Sequence, residues 1–157
     1  MSSAEARRLV IGVGNPDRGD DGAGPAVVAH LRKGNLPGIA LKTVLGEATE
    51  LIRAWHDADS VIIVDAASCG LAAGTVREFD IGAPDLGIAS KRASTHGLGV
   101  AEAIALARNI GVLPDDGVVI TIAGENFRPG ESLSGPVAAA VAAVAARIAD
   151  GAPPASR

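Results

Sequence analysis

The sequence predicts a single three-layer α/β domain over residues 1–157, with a mostly parallel twisted sheet of about five strands, helices on both faces, and tails at 1–7 and 150–157. Three observations lead there. Short unbroken apolar runs, Leu9-Val10-Ile11 and Val61-Ile62-Ile63-Val64 above all, have the character of strands buried on both faces. Each strand-like run is followed by a segment of helical period, and parallel strands need such long crossovers. At 157 residues, 48% of them hydrophobic, the chain can build one core and is short for two ordinary domains.

The elements follow in order. Arg8–Val13 forms the first strand and ends in glycine. Gly24–Lys33 carries Ala26, Val27, Ala29 and Leu31 among polar residues and reads as a helix, with Asp20 or Asp21 placed to cap its first turn. Ala40–Leu45 alternates as a strand, and Thr49–His56 reads as a helix with Thr49 as cap. Ser60–Asp65 is the strongest strand and ends on an acid. Gly74–Phe79 reads as an edge strand, and the Gly-, Pro- and Asp-rich stretch 81–90 as an irregular loop. Leu98–Arg108 is a helix preceded by His96, Val118–Ile122 the last strand, and Ser134–Ile148 the last helix, capped by Ser134 with Pro136 in its first turn.

Composition narrows the function classes. Fourteen basic against eighteen acidic residues give a net charge of −4, and aromatics make up 2%, which together disfavour phosphate backbones and base stacking. Nucleic acid is not an expected partner. The single Cys69 can build neither an intrachain disulfide nor a thiolate cluster, and it reads as a small buried hydrophobe in a reducing, cytoplasmic protein. Met1–Arg8 is polar and charged, unlike a signal peptide, and the Ala-rich run Val137–Ile148 falls well short of the roughly 20 residues that span a bilayer. No membrane association is expected. No long exposed apolar face is evident, and the chain is expected to be a monomer.

The chemistry concentrates at the carboxyl ends of strands, where ligands bind in sheets of this kind. Gly12, Gly14, Gly22 and Gly24 surround the adjacent acids Asp20 and Asp21, Asp65 ends its strand, and His96 precedes a helix. Two carboxylates and an imidazole suit a borderline divalent ion. Acids in the glycine turn oppose a phosphate, and Asp17 stands where a dinucleotide fingerprint needs its third glycine. No Gly-x-Ser-x-Gly elbow, His-Glu-x-x-His helix or phosphate-binding Gly-Lys loop occurs either. The plainer readings are a capping acid, a turn residue at Asp65 and a loop histidine. His30 and His56 fall outside any motif.

Gly12-Val13-Gly14-Asn15, then Asp20-Asp21-Gly22-Ala23-Gly24, then Val61-Ile62-Ile63-Val64-Asp65-Ala66, then Thr95-His96-Gly97-Leu98-Gly99 together resemble the hydrogenase maturation proteases, in order and over most of the chain from Leu9 to about Ala149. The resemblance implies an endopeptidase that removes a C-terminal extension from the large-subunit precursor of a nickel–iron hydrogenase once nickel is in place. It places the metal-binding and catalytic roles on Asp21, Asp65 and His96, and leaves Asp20 as a cap or supporting residue. The metal it implies is nickel carried by the substrate, with another divalent ion as the alternative in the isolated protein. Pro16-Asp17-Arg18-Gly19 departs from the apolar residues many members carry there. Peptidyl-tRNA hydrolases share a Gly-Asn-Pro turn but need a catalytic histidine soon after it and a basic surface, and this chain has neither. Two other classes remain as alternatives: a non-catalytic, metal-dependent binding module or chaperone for a metalloenzyme precursor, and a small nucleotide-binding domain.

Overall fold

The computed structural model describes residues 7–83 and 95–151, the side chains of 95–98 excepted. Strands β1 (Arg8–Val13), β2 (Ile39–Val44), β3 (Ser60–Ala67), β4 (Val76–Asp80) and β5 (Asp116–Ala123) form one sheet in the order β2-β1-β3-β5-β4. The first four in that order are parallel, and β4 closes one edge antiparallel to β5. The helices are α1 (Ala23–Lys33), α2 (Ala48–Trp55), α3 (Thr95–Ile110) and α4 (Gly135–Ala149), and a 3-10 turn over Gly19–Gly22 leads into α1. Among the described residues no helix is long and apolar enough to cross a membrane.

The alternation of side chains along each strand separates two cores. Val10, Val64, Ile120 and Ile122 meet α1 and α4 through Val27, Leu31, Val137, Val141 and Val144. Leu9, Ile11, Ile63 and Val119 face the other way, onto Leu51 and Trp55 of α2 and Val100, Ile104 and Ala107 of α3. With one Trp and two Phe in the chain, closeness of packing has to come from small residues. Gly24 is the clearest case: a Cβ there would collide with the Val64 carbonyl and lie 2.6 Å from the Val13 backbone nitrogen. Helix α1 can therefore begin almost on top of β1 and β3.

The expected elements all form, and their ends differ where side chains find other partners. The capping residues are the main correction. Gly22 holds the N-cap of α1, with no side-chain cap bond from either acid. Thr49 lies inside α2, which follows Glu47; Glu50 instead reaches back to accept the N–H groups of Leu45 and Gly46. Ser134 stands at the N-cap of α4, but its hydroxyl is drawn to Asp20 instead of capping the helix. Helix α3 starts at Thr95, which puts His96 inside its first turn. Arg7, read as tail, is tied down by donating its backbone N–H to the Asp59 carboxylate. Residues 84–90 of the expected loop, the four that follow it, and the tails at 1–6 and 152–157 lie outside the described residues.

Because alanine favours a helix over glycine, Gly24→Ala isolates the cost of close packing. The substitution is expected to destabilise the fold by about 1–3 kcal/mol despite its better helix propensity, read as a lower urea midpoint.

Candidate active site at the carboxyl end of the sheet

The chain leaves β1 toward β2 on one side and returns to β3 on the other, so the carboxyl ends of β1 and β3 border a crevice where successive connections diverge. Both motif carboxylates stand there. Asp65 is the register partner of Val13 and so sits beside the end of β1. Its odd position puts it on the same sheet face as Ile63, the face that α2 and α3 cover. Asp21 comes from the 3-10 turn after β1, which packs against β3.

Local backbone geometry holds Asp21 in place. Gly14 has φ +136, and a Cβ on it would collide with the Asp21 carbonyl and lie 3.6 Å from its carboxylate carbon. The next residue, Asn15, donates its backbone N–H to Asp21 Oδ2 at 2.9 Å, while its own side-chain oxygen accepts the N–H of Asp17 at 2.9 Å. The turn is closed further by the Arg18 N–H on the Asn15 carbonyl and the Asp21 N–H on the Arg18 carbonyl. The Gly-x-Gly-Asn signature thus serves to aim one carboxylate.

Asp20 and Asp21 are adjacent, both are buried, and they do different work. Asp20 accepts four hydrogen bonds from the β5–α4 connection: the backbone N–H groups of Glu125, Asn126 and Ser134, and the Ser134 hydroxyl at 3.0 Å. Burial alone would raise its pKa; the N–H donors of Glu125, Ser134 and Asn126 and the Ser134 hydroxyl outweigh that and hold it below the usual carboxylate value. It is a staple between two loops and does not cap α1. Its donors lie 105 to 114 residues away in sequence, so no local pattern announces them.

Asp65 is 2% exposed, and its Oδ1 has no hydrogen-bond partner among the described residues. Burial first, then the charge of Asp21, push its pKa well above the ordinary carboxylate value, against a smaller opposing effect of the Ala66 N–H. Two acids forced together out of water call for a cation or a shared proton. Thr121, which sequence reasoning passed over, is the register partner of Asp65 on β5.

His96 occupies the first turn of α3, and its side chain lies outside the described residues. Its helix is nevertheless located. A Cβ on Gly99 would collide with the Gly46 carbonyl just past β2, and the Gly14 N–H is bonded to the Val44 carbonyl. The first turns of α3 therefore rest at the carboxyl end of the sheet, on the face that carries Asp65. Among the described residues no group of three His, Cys, Asp or Glu side chains is placed to hold a metal. Cys69, two residues past β3, is half-buried at this rim instead of fully buried. His30 is exposed on α1 and His56 is exposed in the turn just past α2.

Two stability effects follow. Asp20→Ala leaves several buried donors without their acceptor and is expected to cost about 2–4 kcal/mol in denaturant titrations. In the metal-free protein the folded state keeps a proton on Asp65 at pH values where the unfolded chain, with a pKa near 3.9, has lost it, so stability falls as pH rises through that window. Asp65→Asn should therefore be more stable than wild type at pH 7 in the presence of a chelator and converge with it below about pH 4.

Comparison with known proteins bears on the fold and the family. The family model for hydrogenase maturation proteases of the HycI type matches residues 46–151, which include Asp65 and His96; the turn bearing Asp21 precedes that stretch. No curated protein matches the chain in sequence. Among solved structures, a hydrogenase 2 maturation peptidase from a Thaumarchaeota archaeon is 30% identical, with a TM-score of 0.67 over 92% of this chain and 97% of its own. The hydrogenase maturating endopeptidase HybD from Escherichia coli superposes with a TM-score of 0.75 at 24% identity, over 90% of this chain and 89% of that one. The NiFe hydrogenase maturation protease HybD from Thermococcus kodakarensis gives 0.73 at 23% identity, over 92% and 97%.

Proposed function

The chain belongs to the hydrogenase maturation protease family, and on that premise we propose that it is an endopeptidase that removes a C-terminal extension from the nickel-loaded large subunit of a nickel–iron hydrogenase. The observation that carries this reading is the pair Asp21 and Asp65, buried together at the diverging ends of β1 and β3, with Asp65 Oδ1 lacking a partner among the described residues. An orphaned buried carboxylate oxygen beside a second carboxylate fits a divalent ion, and His96 in the first turn of α3 supplies the nitrogen ligand that favours nickel over magnesium or calcium. The nickel arrives as part of the substrate, so recognition reports that the metal has been inserted.

The role of the protein's own residues then divides. Asp21 and Asp65 engage the substrate metal, and a cation between them takes the place of the proton that Asp65 otherwise retains. Asn15 and Gly14 keep Asp21 in register for that contact. With the precursor anchored there, the scissile amide is held near a polarised water or an acid, and positioning of this kind contributes much of the rate. The same reading takes the chain to act in the cytoplasm as a monomer.

The test is the C-terminal mass of a nickel-loaded large-subunit precursor incubated with the protein. Wild type should shorten it and leave the nickel-free precursor intact. Asp65→Ala and His96→Ala should each slow cleavage by about 10²-fold or more with an unchanged circular dichroism spectrum. Normal processing by both variants would remove them from the site. A precursor that binds but is never shortened would make the chain a binding module.

A further inference from the structure

Strand β2 pairs with β1 and, among the described residues, with no other strand, which leaves a row of main-chain donors and acceptors along its outer edge. The two ends of that edge differ. At its carboxyl end the Val44 carbonyl accepts the Gly14 N–H, Leu45 is 57% exposed, and Gly46 lies beneath α3, so this end opens on the site. Near its amino end a cleft of about 440 Å³ is lined by Arg7, Arg8, Lys42 and Arg53, with Asp57 as its one acid. Four cations against one anion contrast with the −4 of the whole chain. The opposite edge, β4, carries Glu78 and Asp80, and Glu78 is already paired with Arg147 at 2.7 Å.

We propose that the free edge of β2 receives the precursor's C-terminal extension as an added strand, antiparallel to β2, and that the basic cleft holds acidic residues of that extension. This rests on the reading of the chain as a maturation endopeptidase. A strand leaving the site at Val44 and passing Ile39 travels the length of β2, six residues or about 20 Å at 3.3 Å per residue. Acids that meet Arg7, beyond Ile39, therefore lie about six to eight residues past the scissile bond, and one that meets Lys42, two residues from Val44, about two to four. Main-chain pairing gives affinity that tolerates sequence differences, and the charged cleft sets the register that brings the correct bond to Asp21 and Asp65.

Steady-state cleavage of the nickel-loaded precursor tests this, with charge reversals at two exposed positions, Arg7→Glu and Arg53→Glu. Each should raise KM by about tenfold with kcat unchanged, and the wild-type KM should rise with added salt. Changing the extension's Asp and Glu to Asn and Gln should raise the wild-type KM to a similar degree. In a complex of the Asp65→Ala protein with the precursor, amide exchange should slow over residues 39–44 and stay unchanged over 76–80. KM within twofold of wild type in both charge reversals, or protection on β4 and not β2, would overturn the docking proposal. Failure of the wild type to shorten the precursor at all would overturn the protease reading on which it rests.

Discussion

Helix α1 starts in contact with the backbones of β1 and β3, and this closeness is possible because Gly24 places no side chain between them. The consequence reaches beyond packing. A helix held that near its strand leaves the preceding turn no room to rise over the edge of the sheet, so Gly19–Gly22 is folded inward and Asp20 and Asp21 are buried with it. Carboxylates are almost never buried without compensation. The rest of the carboxyl end of the sheet can be understood as the two ways in which that compensation is arranged.

For Asp20 it is complete within the protein. Three backbone N–H groups and a hydroxyl from the β5–α4 connection converge on it, and its carboxyl is held ionised at low pH as a result. The same bonds pull residues 124–134 over the first turn, reinforced by the Gly19 N–H on the Glu131 carbonyl and the Gly130 N–H on the Asp17 carbonyl. For Asp65 it is incomplete. Its neighbour Asp21 is another acid, one oxygen lacks a partner among the described residues, and the proton is retained to higher pH. Adjacent residues in the chain, Asp20 and Asp21, thus do different work: one carboxylate ties two loops together, and the other is aimed by Asn15 toward the end of β3, where its charge acts on Asp65.

That division suits the family to which the chain belongs. Under the proposed function, a site that acts on a metal-loaded precursor needs an affinity that depends on the incoming cation, and a pair of adjacent buried acids supplies it. The site also has a direction. It opens beside the carboxyl end of β2, whose outer edge is unpaired among the described residues and is the track along which the proposed docking would run.

Much of this was legible in the sequence. Apolar runs closed by Gly or Asp located the strands to within about two residues, because strands buried on both faces leave little choice of side chain. Gly74–Phe79 reads as an edge strand and β4 is one, and the four ordered motifs singled out Asp21, Asp65 and His96. Cap assignments failed for Thr49 and the acids before α1, and Ser134 holds its N-cap position while its hydroxyl goes to Asp20, since capping was inferred from local spacing while the polar groups found partners elsewhere.

By itself the sequence determined the order of elements, the placement of reactive residues at strand ends and the family resemblance, all of which depend on near neighbours and periodicity. Only the tertiary structure decided which acids face each other. The strand order sets β1 beside β3, so Asp65 meets Asp21, and the β5–α4 loop crosses the sheet's end to claim Asp20. Both outcomes depend on contacts between segments far apart in the chain, where burial and charge act through space and leave no local pattern to read.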